Sequence, residues 1–209
     1  MWKKSGCQQQ RIEYKWSTRL YVFPGKSKGQ IEMAVGIFSV FLIAMVMMAG
    51  LKIAQFMITG AYVEDALAAS NLASALIDVE EFGRSRVIRV ADPIASYRIY
   101  KEALAQNLML EEDGRSLQRE LLEGDVEVTM YIIYNVDGDR VQVLSFFGES
   151  AQPEVEIYDL GQVYTPDGVL IETTTIYSRV KFQVRGIGQV FIRAEKEKSI
   201  DIKREIEHE

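Results

Sequence analysis

From Met33 to Leu51 the chain reads MAVGIFSVFLIAMVMMAGL, nineteen residues without a charge. As a helix rising about 1.5 Å per residue, this stretch covers roughly 28 Å, close to the hydrocarbon thickness of a bilayer. A core helix of a water-soluble domain seldom stays apolar on every face for five turns, so the stretch predicts a single membrane span. A removable secretory signal fits less well, because the run is longer than a usual signal core and no small-residue cleavage site follows it closely. Upstream, residues 1–32 carry seven Lys or Arg against Glu13 and Glu32, a net +5, which leaves −11 for the remainder of a chain of net charge −6. Basic residues ahead of a span hold that end in the cytoplasm, so everything after Leu51 is expected outside. Lys52 and Gln55 then fall at the outer interface, where a lysine snorkels.

Beyond the span the helical pattern continues into water. Between Ile53 and Glu81 there is no proline, and Val63, Ala66, Leu67, Ser70, Ala73, Leu76 and Ile77 recur at three- and four-residue spacing. Ala66, Ala69, Ser70, Ala73 and Ser74 are small enough for a second backbone to come close, either from a domain of the same chain or from neighbouring copies. Read this way, one helix runs from about Gln30 to Phe82 and ends at Gly83. The chain thus divides into a basic cytoplasmic leader (1–29), a long helix (30–82) and an extracellular domain (83–209).

That last part changes period. Arg86–Val90 reads as a short strand, and Asp92-Pro93 supplies an N-cap with proline at the first helical position. The helix from Pro93 to about Leu110 would bury Ile94, Tyr97, the Lys101 stem, Leu104 and Leu108, and Arg115–Glu123 suggests one further helical turn. Val126, Val128, Met130, Ile132, Tyr134 and Val136 then alternate with their neighbours, Asp137-Gly138-Asp139 turns, and Arg140–Phe147 returns as a hairpin partner. Glu154–Tyr164 reads as a strand, Pro166-Asp167-Gly168 as a turn, and Thr174–Arg185 as a strand with one wet and one buried face. Gly186-Ile187-Gly188 turns into Gln189–Glu195, with a last edge strand around Ile200–Ile202. The expected fold class is α+β: a long N-terminal helix, a small helix and an antiparallel sheet.

The composition excludes much chemistry. One cysteine, Cys7, forbids an intrachain disulfide and a Cys-rich metal site, and one histidine, His208, leaves a poor prospect for a hydrolase triad, a zinc centre or His acid/base catalysis. Asp137-Gly138-Asp139 and Asp167-Gly168 lack the continuation of a calcium loop and read as turns. Gly186-Ile187-Gly188 is no phosphate cradle. Arg179, Lys181 and Arg185 belong to a solvated strand face in an acidic domain, which argues against nucleic acid as a partner. Cys7 reads as a free thiol on the inner side, with lipidation the alternative. No catalytic residue, metal ligand or cofactor is expected. Glu32, at the head of the span, is favoured by unpaired helix amides and the helix dipole. Drawn into hydrocarbon it needs a cation, such as an amine on a neighbour.

Together, a basic leader ending in glycine, a carboxylate heading the span (Gly29-Gln30-Ile31-Glu32-Met33-Ala34-Val35), an extended helix and a C-terminal β-rich head resemble the type IV pilin-like proteins. The likeness is greatest to the TadE-like minor pilins, or pseudopilins, of tight-adherence systems, particularly those of Gram-positive bacteria. The resemblance implies a cut by a prepilin peptidase between Gly29 and Gln30, and pairing of Glu32 with the N-terminal amine of another pilin-like subunit through the N-terminal helix. Glu32 is the third residue after Gly29, whereas the family's acidic residue usually stands fifth. Two classes of function stay open at this point. One is a membrane-inserted assembly subunit of a pilus or related secretion apparatus. The other is a single-pass membrane protein whose extracellular domain binds a ligand or partner without polymerising.

Overall fold

A computed structural model describes residues 28–111, 114–117, 121–148, 150–186, 188 and 190–203. The leader up to residue 27 with Cys7, the Glu112-Asp113 pair, Ile187 and His208 lie outside these, as do the side chains of Lys28 and Gln30. Two compact units divide between Val46 and Met47.

The first element, α1, is a 46-residue helix, Lys28–Ala73. In the first unit its side chains from Ile31 through Val46 are exposed on every face, and α1 is the one helix among the described residues long and apolar enough to cross a membrane. Its single hydroxyl there, Ser39 Oγ, donates to Val35 O at 2.9 Å, so that between Met33 and Val46 no side-chain polar group asks for water.

The second unit is α+β, as expected. The residues from Met47 onward in α1 are followed by α2 (Val79–Ser85), α3 (Pro93–Asn107), β1 (Glu123–Asp137), β2 (Arg140–Phe147), β3 (Glu154–Asp159), β4 (Thr175–Arg185) and β5 (Phe191–Asp201). All strand pairs are antiparallel, in the order β3-β2-β1-β4-β5. Val63, Ala66 and Leu67 of α1 and Tyr97, Tyr100 and Leu104 of α3 share a core with Tyr131, Ile133, Leu144, Phe146, Ile176, Val180 and Phe182 on one face of the sheet. Rings meet through its centre, Tyr97 stacked on Phe146 and Tyr100 tilted against Tyr131, each pair with centroids 4.6 Å apart.

Several expectations need correction. The long helix stops at Ala73 rather than running to Phe82. Asp78 starts a separate helix by accepting the Glu81 amide at 2.9 Å, a short acidic N-cap that wins over continued α1. Gly83 lies inside α2, which is closed by Arg86 in the left-handed region at φ 62°. Arg86–Val90 is not a strand: Val90 bridges Ile77 alone, and its amide donates to Asn135 Oδ1 at 2.9 Å. In α3 the cap and proline stand as read, with Asp92 Oδ1 accepting from Ile94 and Ala95. Ile94, however, is 49% exposed, and the buried face is Ser96, Tyr97, Tyr100 and Leu104. Lys101 lies with its ammonium 4.6 Å over the Tyr97 ring at the surface. Within 115–123, Ser116 bridges Leu110 and Arg115 bridges Asp125 in place of a helical turn.

The sheet holds the most instructive difference. Val128 pairs with Val180 but Met130 pairs with Arg179, so β1 carries one extra residue at Thr129. Such a bulge moves every later side chain to the opposite face. Val126 and Val128 therefore pack on the helix side, whereas Met130, Ile132, Tyr134 and Val136 join Val141, Val143 and Tyr177 on the other. That second face is buried too, under Val163 and Ile171, because strand β3 ends at Asp159 and the segment after it folds back over the sheet. Ile171 N donates to Val163 O at 2.9 Å, and Gly168, at φ 86°, makes the expected turn. The C-terminal edge is a single strand, β5, rather than two pieces.

Candidate functional site

The residues singled out in the sequence all lie on α1, and two stretches of it carry them. At its start, Gly29 is exposed, and a side chain there would meet nothing within 4 Å. Helix begins at Lys28, so the Gly29–Gln30 bond lies in the first turn, where amides have no intrahelical partner. Glu32 is exposed and stands one turn further in. The first turn carries no acidic residue, so Glu32 has moved past the capping position.

Within the second unit, the small residues separate by face. Ala66 is buried in the core, together with Val63, Leu67, Ser70, Asn71 and Ser74. Ala69 and Ala73 are exposed, beside the exposed Leu72. The close approach permitted by Ala66, Ser70 and Ser74 is thus used by the chain's own α3 and sheet.

The polar members of the buried face form a seam that pure spacing did not reveal. Ser96 Oγ on α3 donates to Ser74 O at 2.6 Å and lies 2.7 Å from the Tyr131 hydroxyl, which donates to Ser74 Oγ at 2.9 Å. Asn71 Nδ2 donates to Lys198 O on β5 at 2.9 Å, and Asn107 Nδ2 reaches Ser70 Oγ at 3.1 Å. These bonds explain the end of α1: the Ser74 carbonyl is taken by a tertiary donor instead of the next helical turn. Burial pushes the Tyr131 hydroxyl up to about 12, against the opposing effect of its bonds to Ser74 and Ser96. Burial also pushes Tyr134 up to about 12, with the Asp167 charge adding to the effect. The serines at three- and four-residue spacing were the available signal, since a hydroxyl on an otherwise apolar stripe must find a partner inside.

At the edge of the sheet, Glu64 receives two lysines of β5, Lys198 Nζ at 2.8 Å and Lys196 Nζ at 3.5 Å. The hydrogen bond from Lys198, followed by its charge, holds the Glu64 carboxyl below the usual range. On the far face, Arg179 and the Tyr177 hydroxyl both bond Glu197, and Arg185 forks onto Glu123 with both bonds at 2.7 Å. Two of the three basic residues of the alternating strand are therefore neutralised by carboxylates.

A groove lined by Asp125, Glu127, Lys181, Gln183, Arg193 and Glu195 mixes both signs of charge. Among the described residues no group of three or more His, Cys, Asp or Glu converges in a way that would hold a metal ion. The chain has the build of a single-pass membrane protein carrying a β-sheet domain. Comparison with family models, with curated proteins and with solved structures returns no match.

Proposed function

We propose that this chain is a pilin-like structural subunit, of the TadE-like kind, that enters the membrane by α1 and takes part in assembling a tight-adherence or related type IV pilus or secretion apparatus. The observation that carries the reading is α1 itself. One unbroken helix exposes apolar side chains on all faces through its first half and buries a single stripe against an antiparallel sheet in its second. A subunit of this build holds its partners in lipid by one half of a helix and displays a folded domain by the other. The leader is cytoplasmic and the sheet domain extracellular, in keeping with the basic residues ahead of the span.

In this reading a prepilin peptidase cuts after Gly29, in the first helical turn, where the fewest backbone bonds must be opened. Glu32, exposed and apolar-flanked, then receives the new amine of a neighbouring pilin-like subunit as that neighbour enters the lipid. Ala69 and Ala73 form the outward small face for helices of other copies, while Ala66 serves the chain's own core. The role is structural, without a catalytic step or cofactor.

Intact-mass analysis of native material is expected to begin at Gln30. In a Cys7→Ser background, cysteines placed at Ala69 and Ala73 should crosslink copies within assembled filaments, and Glu32→Ala should leave membrane insertion unchanged while lowering incorporation several-fold. Chains beginning at Met1, incorporated equally with or without Glu32 and never crosslinked, would instead identify a non-polymerising membrane protein with a binding domain.

A further inference from the structure

Strand β5 reaches α1 at points that follow the same order along both elements. Lys198 O accepts from Asn71 Nδ2, while the Lys196 side chain lies 3.4 Å from a Cβ position on Gly60 and both lysines reach Glu64. Phe191 stands seven residues before Lys198, or about 23 Å along the strand at roughly 3.3 Å per residue. On the helix that distance equals about fifteen residues, which carries the start of β5 from Asn71 back toward the first turns after Leu51. Gly186 N donates to Val190 O and closes the β4–β5 hairpin ahead of Phe191.

At this level the surface is apolar on both elements. Ile53, Met57 and Ile58 of α1 and Val190, Phe191 and Ile192 of the β4–β5 hairpin are between 43% and 72% exposed, although Phe56 and Thr59 of the same turns face the protein. Three consecutive exposed apolar residues at the end of a sheet edge would normally invite aggregation. Here they accompany the exposed apolar side chains of α1 that follow Leu51. From Leu51 to Ile58 is about 10 Å, which takes in the roughly 5–7 Å headgroup layer that flanks the hydrocarbon on each side. We propose that the β4–β5 hairpin tip is a second membrane contact, with Val190, Phe191 and Ile192 seated in the interfacial layer of the leaflet that faces the sheet domain, next to Ile53, Met57 and Ile58. Phe is among the apolar side chains that surface-lying elements bury about 5–10 Å into the boundary of headgroups and acyl chains.

This inference rests on the membrane-crossing reading of α1, and the test separates the two. The full chain, with Cys7→Ser, is reconstituted in phosphatidylcholine vesicles containing a doxyl-labelled lipid, and a fluorescent label is placed in turn at Val190→Cys, Met48→Cys and Asp139→Cys. Asp139 is exposed in the β1–β2 turn, at the opposite end of β1. Quenching at position 190 should exceed that at 139 at least threefold and approach that at 48. Strong quenching at 48 with equal, weak quenching at 190 and 139 overturns the hairpin contact alone, as does disulfide capture of position 190 between copies without lipid quenching. Weak quenching at all three positions overturns the span and the contact together.

Discussion

Residues 33–51 and residues 56–74 are nearly equal in length and belong almost wholly to the same helix, yet they answer to different solvents. In the first, each large apolar side chain is at least 49% exposed, and the lone hydroxyl is satisfied within the helix. In the second, Val63 and Leu67 are fully buried, and Thr59, Ser70, Asn71 and Ser74 are buried beside them. A helix without a polar face keeps its backbone bonds satisfied in hydrocarbon and needs no protein partner to do so. A helix with one mixed stripe needs a partner that covers the apolar groups and also bonds the hydroxyls and amide. The sheet and α3 provide both, through Tyr131, Ser96 and the Lys198 carbonyl. Neither half would be stable in the other's surroundings, and the changeover needs only Lys52, which donates to Gln55 at 2.9 Å, to mark it.

The comparison breaks most readily at matched leucines. Leu67→Ala removes a fully buried side chain from the core shared with α3 and β1, and a loss of about 2–5 kcal/mol is expected, the range for such truncations. Leu42→Ala, in the exposed half, should leave the sheet domain within about 0.5 kcal/mol. Hydrogen exchange of the Tyr131–Tyr134 amides in detergent micelles reads both. Equal effects of the two changes would mean that the first half of α1 also leans on the sheet domain.

The architecture was legible in the sequence wherever a local rule was strong enough to decide. Nineteen uncharged residues, Asp92-Pro93 ahead of a helix and the Asp137–Arg140 turn each determine their surroundings, and the structure has all three. What was not legible depended on contacts made far along the chain. The end of α1 depends on Ser96 and Tyr131, remote in sequence from Ser74. The exchange of faces at Thr129 depends on its pairing with β4 and leaves an unbroken alternation from Val126 to Val136 that looks like a single face. Tyr97, Leu104 and Leu108 are buried as the helical spacing implied, but Ser96 and Tyr100 take the places given to Ile94 and Lys101. Of the candidate positions, Glu32 and Gly29 could be located in the helix from sequence, but the division of Ala66 from Ala69 and Ala73 required knowing which face α3 and the sheet occupy.

A smaller effect sharpens the account of the buried seam. Tyr131 has its hydroxyl pushed up to about 12 from an ordinary value of 10. A group raised in the folded state contributes stability below its unfolded value and loses it as pH rises through the folded one. The domain should therefore weaken between pH 10 and about 12, in step with tyrosinate absorbance. Tyr131→Phe should cost about 1–3 kcal/mol at neutral pH, because Ser74 and Ser96 lose a buried partner, and should flatten that alkaline decline. An unchanged alkaline slope in Tyr131→Phe would assign the decline to other buried tyrosines.

The least of these effects lies where the second half of α1 meets β5. Glu64 takes both Lys196 and Lys198, and all three side chains remain more than a third exposed, so water screens the pairs and their joint contribution should stay below about 1 kcal/mol. Its sign is nevertheless testable. Because Lys198 and then Lys196 lower the Glu64 carboxyl, the contribution is present above the ordinary carboxylate range and disappears as acid protonates the folded form. Glu64→Gln should thus destabilise slightly at neutral pH, have no effect well below pH 4, and lose its effect in about 1 M salt, where the Debye length falls to about 3 Å. Were the substitution instead to cost several kcal/mol independent of salt, Glu64 would be acting as a buried anchor between helix and sheet edge, and the second half of α1 would be held by charge as much as by its apolar stripe.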